Sequence, residues 1–160
     1  MRELTAARER ARSSTAAVAV VIGLAVAGCA GSAPGARAVP ASAVARLAGI
    51  ATRAAKFNGD AAPRWVTAVL TTHAKALTSA TPGDFIPGAD GVRVFLITMR
   101  GHFVANGPGP PGAAAPTGRY LSLVVNAKTF RLLDLGLSRK PPPVSPASLG
   151  PITFLTGRRQ

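Results

Sequence analysis

The run Val92 to Val104 (VRVFLITMRGHFV) constrains this chain more than any other segment. After Arg93 both alternating sets of side chains are mostly apolar, the pattern of a strand covered on both faces and placed centrally in a sheet. Gly101, inside the run, marks a bulge or a close backbone approach. Ala105 to Gly118 (ANGPGPPGAAAPTG) is too rich in Gly and Pro to join a ladder and reads as a long loop. Beyond it, Arg119 to Asn126 (RYLSLVVN) and Thr129 to Leu137 (TFRLLDLGL) are separated by a short turn through Asn126-Ala127-Lys128. Two such runs form an antiparallel hairpin, with Leu121, Leu123 and Val125 on one face of its first strand.

Helical spacing precedes these strands. Ser42 is placed to cap a helix in which Val44, Leu47, Ile50 and Ala54 recur every three or four residues, up to a turn at Asn58-Gly59-Asp60. A second helix is predicted from Pro63, at its first turn, to Ala80, with Trp65, Val66, Val69, Leu70, His73 and Leu77 on one face. Trp65, the one Trp of the chain, is then the anchor of helix on sheet. Hydrophobic residues make up 48% of the 160-residue chain. Thirty-two of them are Ala, so only a small core is available. The expected fold is α+β: one or two N-terminal helices packed on a small antiparallel sheet of about three to four strands. The expected domain spans residues 41–140. Residues 141–160 open with Pro141-Pro142-Pro143 and read as a Pro-rich, disordered or loosely docked tail, despite an apolar patch from Ile152 to Leu155.

Residues 1–28 have the layout of an export signal: a basic stretch to Arg12, a Ser/Thr hinge, and twelve residues from Ala16 to Ala27 without a charge. Twelve helical residues span about 18 Å, short of a hydrocarbon core of about 30 Å. The sequence Val26-Ala27-Gly28-Cys29 that follows resembles the lipobox of bacterial lipoproteins. The resemblance implies that a diacylglyceryl group is transferred to the Cys29 thiol. It also implies that a signal peptidase recognising Val26, Ala27 and Gly28 cuts before Cys29. Two acyl chains, at about 0.8 kcal/mol per buried methylene, would hold the protein to a membrane. Residues 29–40 then form a flexible tether, and the protein is expected lipid-anchored at the extracytoplasmic face of the cell membrane. The bias to Arg over Lys and the abundance of Ala, Gly and Pro resemble the products of high-GC actinobacterial genomes.

Two further resemblances concern the domain. Val124 to Leu132 (VVNAKTFRL) is similar to the terminal hairpin of PepSY-type domains, small extracytoplasmic α+β modules with an Asp-Ala-x-Thr-Gly turn. It departs from them in having Asn126 for the Asp and Phe130 where Gly normally supplies positive φ. Trp65-Val66 with Thr71-Thr72, Arg100 to Phe103, Pro110-Pro111-Gly112 and Asp134-Leu135-Gly136 together resemble small secreted actinobacterial proteins. That likeness implies the fold and carries no activity.

Charge and chemistry narrow the function. The formal net charge is +13, with 19 Lys+Arg against 6 Asp+Glu. Without residues 1–28, fifteen basic and four acidic side chains remain, leaving +11. This favours anionic lipid headgroups or wall polymers as partners. No nucleic-acid partner is expected, because the arginines form no basic run and no aromatics interleave with them. Asp60, Asp84 and Asp90 stand in turn contexts, and Asp134 is placed to pair with Arg119 or Arg131. A single Cys excludes an intrachain disulfide, and with only His73 and His102 available no metal site or cofactor is expected. No Gly-x-Ser-x-Gly elbow is present, so no catalytic residues are assigned. Arg100-Gly101-His102-Phe103 is the candidate binding cluster, with Arg100 and His102 its functional residues, beside a loop where binding groups gather. The expected function is a non-enzymatic binding or accessory module of the cell envelope. The alternatives are nonspecific electrostatic association with anionic lipids or wall polymers, and an enzyme using His102 with Arg100.

Overall fold

A computed structural model describes residues 37–80, 91–107 and 112–156. The elements are α1 (Ala41–Phe57), β1 (Trp65–Thr72), α2 (His73–Ala80), β2 (Arg93–Val104), β3 (Thr117–Asn126), β4 (Leu132–Ser138), α3 (Pro146–Leu149) and β5 (Thr153–Thr156). The strands form one antiparallel sheet in the order β4-β3-β2-β1-β5. The α+β class holds. The sheet has five strands among the described residues rather than three to four, and the helices are not all N-terminal.

β2 is the middle strand, as its two-sided apolar pattern predicts. One set of its side chains, Phe95, Ile97 and Met99, joins Val66, Ala68 and Leu70 of β1 and Leu121, Leu123 and Val125 of β3 beneath α1. The other set, Val94 and Leu96, meets Val124, Ala76 of α2 and Leu149 of α3. Helices therefore cover both faces. α1 rests on Ala43, Leu47, Ala51 and Ala55, a stripe at four-residue spacing, whereas Val44, Ile50 and Ala54 pack at its margin. Small side chains let the helix backbone approach the sheet, which turns the alanine-rich stripe inward and the larger residues aside. The N-cap is Pro40, with no side-chain cap from Ser42. At the other end Gly59 takes φ 85°. The N–H groups of Gly59 and Asp60 donate to the carbonyls of Lys56 and Ala55, the Schellman pattern that ends a helix.

Two expectations are corrected. Pro63 to Ala80 is not one helix: Trp65–Thr72 is a strand paired with β2 along its whole length, and only His73–Ala80 is helical. Both faces of β1 are buried, so its apolar residues show no alternation and match a helical period by coincidence. Five β-branched residues in eight (Val66, Thr67, Val69, Thr71, Thr72) carry the strand preference. The tail is likewise ordered over Pro146–Thr156. Ser145 caps α3, Ser79 Oγ donates to the Val144 carbonyl at 2.8 Å, and β5 pairs with β1. The apolar patch Ile152–Leu155 supplies that strand, with Leu155 packed against the main core.

The hairpin β3–β4 is present, but its second strand begins at Leu132 rather than Thr129. Asn126 Oδ1 accepts from the N–H groups of Lys128 and Thr129, at 2.9 and 3.0 Å, so its side chain closes the turn. Phe130 adopts φ 59°, the left-handed conformation that favours Gly. Its ring is kept there by Phe95, at 5.7 Å between centroids, and by the Arg46 guanidinium, 4.2 Å above it.

Candidate functional site

The topology gathers one end of four strands. β1 and β3 begin where β2 and β4 finish, so Arg64, Arg100, His102, Arg119 and Arg139 come to the same end of the sheet from separate parts of the sequence. The bulge expected at Gly101 shapes this end. Arg100 stands opposite Tyr120 and Phe103 opposite Gly118, so β2 carries one extra residue there. The close backbone approach also occurs. Any Cβ on residue 101 would run into the Asp60 carboxylate and lie 3.0 Å from Phe103 Cζ.

Asp60 organises the bulge. Its Oδ2 accepts from the His102 N–H at 2.8 Å, and its Oδ1 accepts from the Ala62 N–H at 3.0 Å. The turn role read from the sequence is therefore joined by a second one, tying the α1–β1 loop to β2. Backbone bonds reinforce the tie: Val104 N–H donates to the Asn58 carbonyl at 2.8 Å and Arg64 N–H to the Arg100 carbonyl at 2.9 Å.

Two adjoining clefts open around the bulge. One, of about 340 Å³, is lined by Arg64, Arg100, Arg119 and His102, with Asp60 as its acidic member. The other, of about 470 Å³, shares His102 and Arg119 and adds Arg139 and Thr117. The Arg139 Nε–H donates to the Thr117 carbonyl at 3.3 Å, which fixes that guanidinium beside β3. Arg100 lies 5.2 Å from the centre of the Trp65 ring, its cross-strand neighbour. Stacking on an aromatic face orients a guanidinium and leaves its N–H edge available. Trp65 is thus a half-exposed strand residue beside the cleft and not the anchor of a helix.

The sequence singled out Arg100 and His102, and both line the site. It missed Arg64 and Arg139 and gave Arg119 another role, as a partner of Asp134. Asp134 stands across from Val124, five residues along β3 from Arg119, and its Oδ1 accepts from the Leu135 N–H. For Arg139 a signal was present, two residues past the expected end of the second hairpin strand, whereas Arg64 stood inside the expected helix and carried none. His73 is buried at the start of α2, and its Nε2 has no hydrogen-bond partner among the described residues. Val26, Ala27, Gly28 and Cys29, as well as Asp84 and Asp90, lie outside the described residues. Among the described residues no helix is long and apolar enough to cross a membrane.

Chemically, three arginines against one aspartate leave the smaller cleft with two net positive charges. Guanidinium groups arriving from different strands present N–H donors in several directions, suited to an oxyanion rather than to a cation or an apolar group. The fold defines a small α+β domain with helices on both faces of an antiparallel sheet and an arginine-lined cleft at one end of it. No known protein family, curated protein or solved structure matches the chain.

Proposed function

We propose that this protein is a membrane-anchored extracytoplasmic lipoprotein that serves as a non-enzymatic binding or accessory module of the cell envelope. Residues 1–28 act as the export signal, Cys29 carries the diacylglyceryl anchor, and the residues after it tether the domain, a stretch shorter than the sequence implied because Val39 is buried in the core and Pro40 caps α1. The observation that carries the binding role is the convergence of Arg64, Arg100, Arg119 and His102 on one cleft. Such clustering costs stability through like-charge repulsion, and a bound anion offsets it. The Asp60 carboxylate accepts from backbone N–H groups, which makes it a brace for the cleft and supports binding over acid–base chemistry.

In-cell cross-linking of the tagged protein, compared with Cys29→Ala at matched expression, tests this reading. A dominant partner recovered only with the anchor intact is the expected result. The second reading, nonspecific association through the +11 surface, predicts diffuse recovery of lipid and wall material. It also predicts steep loss of binding with salt, because exposed charges are screened over about 8 Å at physiological ionic strength.

A further inference from the structure

We infer that the cleft at the bulged end of the sheet binds a phosphate monoester, gripped by the guanidinium groups of Arg64, Arg100 and Arg119. The inference rests on the binding reading above and names its ligand chemistry. Three features point to phosphate. The first is charge: the cleft carries two net positive charges, and a phosphate monoester carries about −1.5 to −2 near neutral pH. A carboxylate or a phosphodiester, with one negative charge, leaves one guanidinium uncompensated.

The second is donor geometry. A carboxylate has two oxygens and is satisfied by one bidentate guanidinium, whereas a phosphate monoester offers three terminal oxygens. Arg64 precedes β1, Arg100 belongs to β2 and Arg119 to β3, so the three forks reach the cleft from three directions. The third is preorganisation. Arg100 is held over the Trp65 ring, and the bulge is tied by the His102 N–H to the Asp60 carboxylate, which is itself held by the Ala62 N–H of its own loop. Less side-chain entropy is then lost on binding. Gly101, with no side chain, lets the Asp60 carboxylate close against the bulge between Arg100 and His102.

Trp65 supplies the readout, since the only indole of the chain stands beside a guanidinium that the ligand would engage. The purified full chain in detergent is titrated with inorganic phosphate, glucose 1-phosphate and acetate at constant ionic strength, following Trp65 fluorescence. Saturable change with both phosphates and none with acetate is expected. Arg119→Ala and Arg64→Ala, which leave the Arg100–Trp65 contact in place, should each weaken binding about tenfold, the loss of one charge-assisted contact. Arg131→Ala, at the opposite end of the sheet, should leave it unchanged, and thermal melts confirm that each variant is folded.

Phosphatidylcholine vesicles with and without phosphatidic acid separate the two sources of the ester. Arg119-dependent binding to phosphatidic acid that glucose 1-phosphate does not compete away identifies a lipid headgroup, and competition identifies a soluble phosphosugar. Equal response to acetate, or equal loss in Arg131→Ala, overturns the inference. Either failure leaves an anchor-dependent cross-linked partner standing, so the ligand can be wrong while the binding module is right. Loss of anchor dependence with phosphate binding intact would show the reverse.

Discussion

The two ends of the sheet carry similar charge and use it differently. At the hairpin end, Asn126 bonds two N–H groups of its own turn, Phe130 closes the turn at φ 59°, and Arg46 lies over the Phe130 ring. Asn126 and Arg46 there are engaged in holding the turn, while Arg93 and Lys128 line a cleft of about 440 Å³. At the bulged end a single carboxylate, Asp60, holds the backbone, while Arg64, Arg100 and Arg119 line a cleft. The difference is that the bulged end brings three arginines from separate segments to one cleft with a single acidic side chain.

Substitutions can break or sharpen this contrast. The largest effect is expected for Gly101→Val, whose Cβ meets the Asp60 carboxylate and Phe103. Overpacking together with loss of the Asp60 bonds should cost about 3 kcal/mol in urea denaturation. A cost near zero would mean that the bulge is not held as described. Asp60→Ala comes next, at about 2 kcal/mol, because two backbone N–H groups lose a charged acceptor. Asp60→Asn keeps only one of the two acceptor oxygens and should recover only part of that stability, while loss of the negative charge should tighten phosphate binding.

At the hairpin end Phe130→Ala should cost about 2 kcal/mol, through lost contact with Phe95 and Arg46 at a position still strained. Phe130→Gly loses the same contacts but relieves the positive φ, and should be the more stable of the two by about 1 kcal/mol. Neither should alter phosphate titrations followed at Trp65, and a change in affinity would show that the ends are coupled. The smallest effect is expected for Arg131→Ala, within about 0.5 kcal/mol of the parent, since its exposed side chain should add little to stability.

Much of the sheet was legible from the residues alone. β2 announced itself as central by apolar side chains on both of its faces, and Gly101 marked the bulge because no side chain fits against Asp60. The hairpin was readable from two alternating runs around Asn126. The α1–β1 turn was readable from Asn58-Gly59-Asp60. β1 was not: with both faces buried it lacks alternation, and no Gly or Pro separates Thr72 from His73, so strand and helix merged into one apparent period. Two of the five residues gathered at this end, Arg100 and His102, were found from their place beside a loop. Arg64 lay inside an expected helix, and Arg139 stood at a strand end with nothing in a linear reading to say which strand ends coincide.

The sequence by itself determined that β2 is covered on both faces, that the α1 helix stops at the Asn58-Gly59-Asp60 turn, and that the β3–β4 turn runs through Asn126. Each follows from local sterics, hydrogen bonding or burial that a few neighbouring residues specify. Only the tertiary structure decided that Trp65–Thr72 is a strand, that Thr153–Thr156 leaves the tail to pair with it, and that four arginines from distant segments share one end of the sheet. Those outcomes depend on ladder partners and packing surfaces far away in the chain, and an apolar or basic residue reads the same whichever partner the fold brings to it.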